Sequence, residues 1–156
     1  PLGERKEQLY RDLLTRSPEA CRLAPGAEEF LDLLQAHGIP MAVATAAPAS
    51  NIAFYRQHFH LDRWFPGDRI VYSDGTLPGK PDPAIFNRAI ERLGVPAASC
   101  LVVEDSVLGV KAAQAAGAGR IVGIYADEKT RAGLEPLPLH RLIPDYRGLD
   151  LTILDF

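Results

Sequence analysis

A doubly wound α/β domain, with helices on both faces of a mostly parallel sheet, is the fold class this sequence predicts. Three observations lead there. Short apolar runs of strand length recur along the chain, and segments with helical spacing of apolar residues lie between them. Strands separated by helices must be joined by crossovers, which makes them parallel neighbours buried on both faces. The 13 Pro and 13 Gly are spread along the 156 residues as turn punctuation and are not pooled in one linker.

Taken in order, Glu4 to Leu14 carries Leu9, Tyr10, Leu13 and Leu14 among charges, the pattern of an amphipathic helix. Ser17-Pro18 and Pro25-Gly26 break the chain. Ala27 to His37 is helical by spacing, with Phe30, Leu31 and Leu34 on one face and Gly38 as its stop. Met41 to Ala44 is an apolar run of strand length, and Asn51 is placed to cap a helix reaching Phe59. Arg69 to Tyr72 is a weaker strand pattern before the turn at Ser73-Asp74-Gly75. Asp82-Pro83 combines a capping side chain with proline at a first helical position, and Ile85, Phe86, Ala89, Ile90 and Leu93 then share a face up to Gly94. Cys100 to Val103 is a strand, Ser106 to Ala116 a helix rich in small residues, and Arg120 to Tyr125 a further strand. A helix near Asp127 to Arg131 and a strand near Leu139 to Ile143 complete the pattern, with no internal repeat.

Composition narrows the function. The chain is 47% hydrophobic and 24% charged, as a globular domain is, and holds no apolar run of membrane-spanning length. A formal charge of -3 argues against a nucleic-acid partner, which would call for a basic face. No basic-then-apolar leader opens the sequence, so a cytoplasmic setting is expected, with Cys21 and Cys100 as free thiols. A zinc site built on His37, His58, His60 and His140 is poorly supported. His58 and His60 cannot share a helical face, and no cysteine or acid completes the set.

In a doubly wound sheet the ligand sits beyond the carboxyl ends of the strands. Three groups there have the right chemistry. Thr45 offers a hydroxyl, and Ala46-Ala47 after it are small enough to let backbone N–H groups face a phosphate; taken alone, a hydroxyl at that position more often serves a strand end or turn. Lys80 lies between Gly79 and Pro81 in a loop of restricted freedom, where its charge can offset that of a phosphate; taken by itself, a lysine there is more often a solvated surface charge. Glu104 and Asp105 end a strand as adjacent carboxylates, and their mutual repulsion is relieved by a hard cation such as Mg2+. A capping role accounts for one of the two acids and leaves the other over.

These residues carry a resemblance to the haloacid dehalogenase superfamily, in its beta-phosphoglucomutase-like branch. Met41 to Pro48 (MAVATAAP) is similar to the family's second motif, Gly79 to Phe86 (GKPDPAIF) to the third, and Leu101 to Gly117 (LVVEDSVLGVKAAQAAG) to the fourth. With PGAEEFLDLLQAHGI before them, the likeness covers almost the whole chain. It implies a Rossmann-like core over residues 21–156 and, in residues 1–20, the last helix of a small helical cap. The opening ERKEQLYRDLL resembles that helix, which would turn Lys6 toward the substrate; a solvated helix charge accounts for Lys6 equally well.

The resemblance also implies an activity: Mg2+-dependent phosphoryl transfer on a small phosphate ester, a sugar phosphate by preference, through an aspartyl-phosphate. Thr45, Lys80 and Asp105 would be catalytic. Lys6, Thr45, Ala46, Asn51 and Lys80 would bind substrate, and Glu104 and Asp105 would hold the metal. The family's first motif, D-x-D-G-T/V, which supplies the nucleophile and stands on the sheet's first strand, is not among the 156 residues. Asp74-Gly75-Thr76 imitates part of it, but Tyr72 stands where the first aspartate should be. Ala47, where related members often have serine, is a further departure. The chain taken alone is therefore expected to be an inactive fragment, prone to self-association along open strand edges unless an upstream segment completes the sheet. The alternative is a relative without catalysis that uses the fold for binding.

Overall fold

A computed structural model describes residues 2–17 and 21–155. Pro18, and with it the expected domain boundary at residue 20, lies outside the described residues. Among the described residues, a helix α1 (Leu2–Arg16) precedes five helix–strand units: α2 (Ala27–Ala36), β1 (Val43–Pro48), α3 (Ala49–Phe59), β2 (Ile70–Ser73), α4 (Ala84–Leu93), β3 (Leu101–Glu104), α5 (Val107–Ala115), β4 (Arg120–Ile124), α6 (Glu128–Leu134) and β5 (Arg141–Ile143). Among the described residues, no helix is long and apolar enough to cross a membrane.

Among the described residues every strand pairing is parallel, as the alternation predicts. The strands form two sheets, β1–β2 and β3–β4–β5. Alternate residues of each strand pack on opposite faces, the signature of a sheet covered on both sides. On β2, Val71 joins a core with Ile85, Phe86 and Ala89 of α4, Val110, Ala112 and Ala113 of α5, and Leu134 of α6. Its neighbour Ile70 packs on the other side with Ile52 of α3, Trp64 and Phe65. On β4, Ile121 joins the α4–α5–α6 core and Val122 the opposite one, with Phe30 and Leu34 of α2, Ile143 and Ile153. Ala44 of β1 and Val102 of β3 both pack against the α4–α5–α6 core. One helical layer thus spans both sheets, which lie as two parts of a single layer with a seam between β1 and β3.

The seam is visible in burial. In a continuous sheet the inner strands are the most enclosed, yet Val43, Ala44, Leu101, Val102 and Val103 are only half-buried. Ile70 and Val71 on the neighbouring β2 are 2% exposed, and Val122 is 0% exposed. β1 and β3 each have one edge paired and one edge turned to the seam.

Several boundaries differ from the sequence expectation. β1 begins two residues later than the apolar run and continues through Thr45 to Pro48, because its ladder follows β2: Val43 pairs with Ile70 and Thr45 with Tyr72, and the register shifts before Pro48 meets Ser73. α3 starts at Ala49 behind Pro48, so Asn51 is its third residue and not its cap. Asp82 does accept from the Ala84 N–H (2.9 Å) at the start of α4, and Gly94 ends that helix at φ 70°. Asp127 caps α6 through the Thr130 N–H (2.7 Å). Gly26, at φ 78°, lies so close to the C-terminal loop that an added Cβ would stand 2.7 Å from the Tyr146 carbonyl carbon.

Candidate functional site

β3 delivers Glu104 as its last residue, and α5 begins directly beyond it. The Ser106 side chain caps α5 by accepting from the Gly109 N–H (3.0 Å), and its hydroxyl donates to Glu104 Oε2 (3.1 Å). Glu104 Oε1 is ion-paired with Lys80 Nζ. Both side chains are withdrawn from solvent, at 15% exposure for Lys80 and 7% for Glu104. Burying either charge alone would carry a large desolvation penalty, and pairing offsets it. The Lys80 ammonium also lies 4.8 Å from the centroid of the Phe86 ring, a cation–π contact from the first turn of α4. A cis peptide joins Lys80 to Pro81.

Asp105 takes a different position. It is exposed at the mouth of the turn between β3 and α5. Burial raises the Tyr146 phenol above its ordinary range, and the negative charge of Asp105 raises it further. The acid pair read from the sequence is therefore split: Glu104 turns inward to a lysine and a serine, Asp105 outward.

Thr45 lies on β1, half-buried, and its Oγ1 accepts from the Ala47 N–H (3.1 Å). That contact is the turn role. Ala46 is exposed beside it. The structure thus brings Lys80 to Glu104, while Thr45 and Ala46 stand at the middle of β1, a strand in the neighbouring sheet.

Asn51 and Lys6 separate further. Asn51 is 3% exposed and its amide is engaged by α1: Nδ2 donates to Glu7 Oε2 (2.6 Å), and Oδ1 accepts from Arg11 Nη1 (2.7 Å). Arg11 also donates to Ser50 Oγ (3.0 Å). Asn51 is therefore not free to hold a ligand in this arrangement; it fastens α1 to α3. Lys6 is exposed on α1. Sequence reading missed Glu7 and Arg11, for which it offered no signal beyond helical charge, and it missed Phe86 as a partner of Lys80.

For Mg2+, the donor chemistry fits in part. Mg2+ takes one or two carboxylates and completes its six oxygens from water and phosphate. Asp105 offers such a carboxylate, whereas both Glu104 oxygens are engaged. Among the described residues, no group of three or more His, Cys, Asp or Glu side chains could hold a metal.

Comparison with known proteins shows the family and the fold. Residues 3–117 match the family described as haloacid dehalogenase-like hydrolase. A phosphorylated carbohydrates phosphatase of Thermotoga maritima is 34% identical over 121 residues, 78% of this chain and 52% of that protein. A phosphoglycolate phosphatase of Pseudomonas syringae pv. tomato is 34% identical over 160 aligned positions, 98% of this chain and 58% of that protein. In three dimensions the chain is similar to a HAD hydrolase, family IA, variant 3, from Entamoeba histolytica. The TM-score is 0.88 at 31% identity, covering 98% of this chain and 67% of that one. The chain spans about half the length of the curated relatives it matches.

Proposed function

Because the chain belongs to the haloacid dehalogenase-like hydrolases, we propose that it forms most of the core of a Mg2+-dependent phosphatase acting on a small phosphate ester. The observation that carries this reading is the Lys80–Glu104 pair, a cation fixed at the mouth of a parallel sheet beside the exposed Asp105. The relatives named as phosphatases of phosphorylated carbohydrates and of phosphoglycolate favour a small, anionic substrate.

In this reading Lys80 holds phosphate oxygens and offsets their charge, in a position set by Glu104 and Phe86. Thr45 Oγ1 and the N–H groups around Ala46 hold further phosphate oxygens. Asp105 supplies an oxygen ligand to Mg2+, whose charge, when bound, offsets that of the transferring group. α1 belongs to a cap over this mouth, and Lys6 faces the substrate from it. The nucleophile is a carboxylate carried by polypeptide outside the 156 residues, on a strand that fits the seam between β1 and β3. Its oxygen attacks phosphorus, the ester P–O bond breaks, the departing alkoxide takes up a proton, and water then hydrolyses the acyl phosphate. In a mutase the same acyl phosphate would pass to another hydroxyl of the sugar.

The test is phosphate release from a panel of sugar phosphates and phosphoglycolate by the full-length protein, with isomer formation followed alongside. Asp105→Asn and Lys80→Ala are each expected to lower turnover about 100-fold or more, and the 156-residue chain alone to be inactive. Full activity in the Asp105 variant would overturn the site. Turnover by the 156-residue chain that depends on Asp105 would overturn the external nucleophile. Failure of the full-length protein on every substrate, with phosphate binding retained, would favour a binding protein.

A further inference from the structure

We propose that Gly109 is a positioning residue whose bare Cα is the seat of the Glu104 carboxylate, and through it of Lys80. Gly109 lies in the first turn of α5, buried, with ordinary helical backbone, so no left-handed conformation requires glycine there. A glycine inside a helix weakens it, because the residue loses more freedom on ordering than alanine does. The position therefore carries a cost, and the structure shows what is gained for it. A Cβ built at Gly109 would fall within the carboxylate of Glu104, with Oε1 at 2.6 Å, and its three nearest atoms all belong to that carboxylate.

Every other contact of this carboxylate converges on the same seat. Ser106 Oγ donates to Oε2 and accepts from the Gly109 N–H, so serine, glycine and glutamate close one ring of contacts. The other oxygen, Oε1, takes the Lys80 ammonium, whose remaining side is set against the Phe86 ring. Lys80 is held between an aromatic ring from α4 and a carboxylate from β3, and the carboxylate lies where it does because α5 presents no side chain at residue 109. An alanine there pushes the carboxylate off the helix, and the ammonium loses its counter-ion. The functional meaning rests on the reading of Lys80 as the phosphate-facing cation; the structural claim does not depend on turnover.

Two measurements on the full-length protein test it. In the first, Gly109→Ala is made in the wild-type background and in Glu104→Asp, whose acid is one methylene shorter and withdraws from residue 109. Gly109→Ala is expected to lower the urea midpoint in the wild-type background. In the Glu104→Asp background it is expected to leave the midpoint unchanged or raise it, since the shorter acid makes room and alanine favours a helix. Equal losses in both backgrounds would overturn the proposal, because a glycine needed for helix packing alone is not rescued by shortening an acid. Should Gly109→Ala fail to fold, folding of the double variant supports the seat and its failure overturns it. In the second, the Lys80 Cε methylene resonance is compared with those of the exposed Lys111 and Lys129. The Phe86 ring is expected to shift it upfield in the wild type, and Gly109→Ala to return it toward the other two. An unmoved Lys80 signal in a folded Gly109→Ala chain would also overturn the proposal. Asp105→Asn in the full-length enzyme tests the phosphatase reading separately, since neither measurement here requires turnover.

Discussion

Asn51 sends an amide into the interior and meets charged groups from a helix about forty residues earlier in the chain. Its two bonds, to Glu7 and Arg11, fasten α1 to α3. Asn51→Ala would strip one hydrogen-bonded partner from each of two charged side chains. The expected loss is about 1–3 kcal/mol in urea unfolding, with faster protease cleavage near Ser17 as α1 detaches. At this scale Lys80 and Glu104 were legible, because a lysine between glycine and proline and an acid ending an apolar strand are local patterns. The amide's partners were not, since nothing near Asn51 in sequence announces them.

Asp145 carries a pH dependence. Arg147 donates to it through Nη2 (2.6 Å), Nε (3.0 Å) and its backbone N–H (2.9 Å), and these bonds hold the carboxyl below the usual carboxylate range. A group whose pKa is depressed by folding contributes stability in full above its unfolded value, about 3.9 for Asp, and loses it as the pH falls through the folded value. The gap in urea midpoint between wild type and Asp145→Asn is therefore expected to stay constant from neutrality to about pH 5 and to shrink below about pH 4.

At the scale of elements, α5 shows how one cap serves two purposes. Ser106 satisfies the Gly109 N–H at the helix start and the Glu104 carboxylate beside it. Ser106→Ala is expected to cost about 1 kcal/mol in urea unfolding, as loss of an N-cap does, and Ser106→Thr to recover most of it. The sequence read α5 within one residue at each end because Ser, Gly and a run of small residues are strong local signals. β1 was read two residues early. Apolar content marks where a strand is buried, but its ends are set by the ladder with β2, which continues through the less apolar Thr45–Pro48. The start of α3 was misplaced for a related reason: Asn51 has capping chemistry, yet Pro48 already ends the strand and its extended backbone opens the helix.

Over the whole molecule, the alternation of strands and helices made the parallel, two-faced architecture legible, and the helical layer of α4, α5 and α6 bears it out. The seam follows from that architecture and predicts an exchange pattern. Val43 N–H donates to Arg69 O (2.8 Å), so the Ala44 amide points the other way, toward β3. Cys100 O accepts from the Arg120 N–H (3.1 Å), so the Leu101 and Val103 amides point toward β1. In hydrogen exchange on the 156-residue chain, Ala44, Leu101 and Val103 are expected to exchange quickly and Ile121 to Gly123 slowly. Slow exchange at all three seam residues would show that the edges are already covered.

The same seam has a mechanical meaning. A force drawn across the sheet meets ladders of backbone bonds between β1 and β2 and along β3, β4 and β5, but at the seam it meets side-chain packing and the Lys80–Glu104 pair. The molecule carries a tear line there, and residues 94–100, the covalent tether between α4 and β3, would be the last link to part.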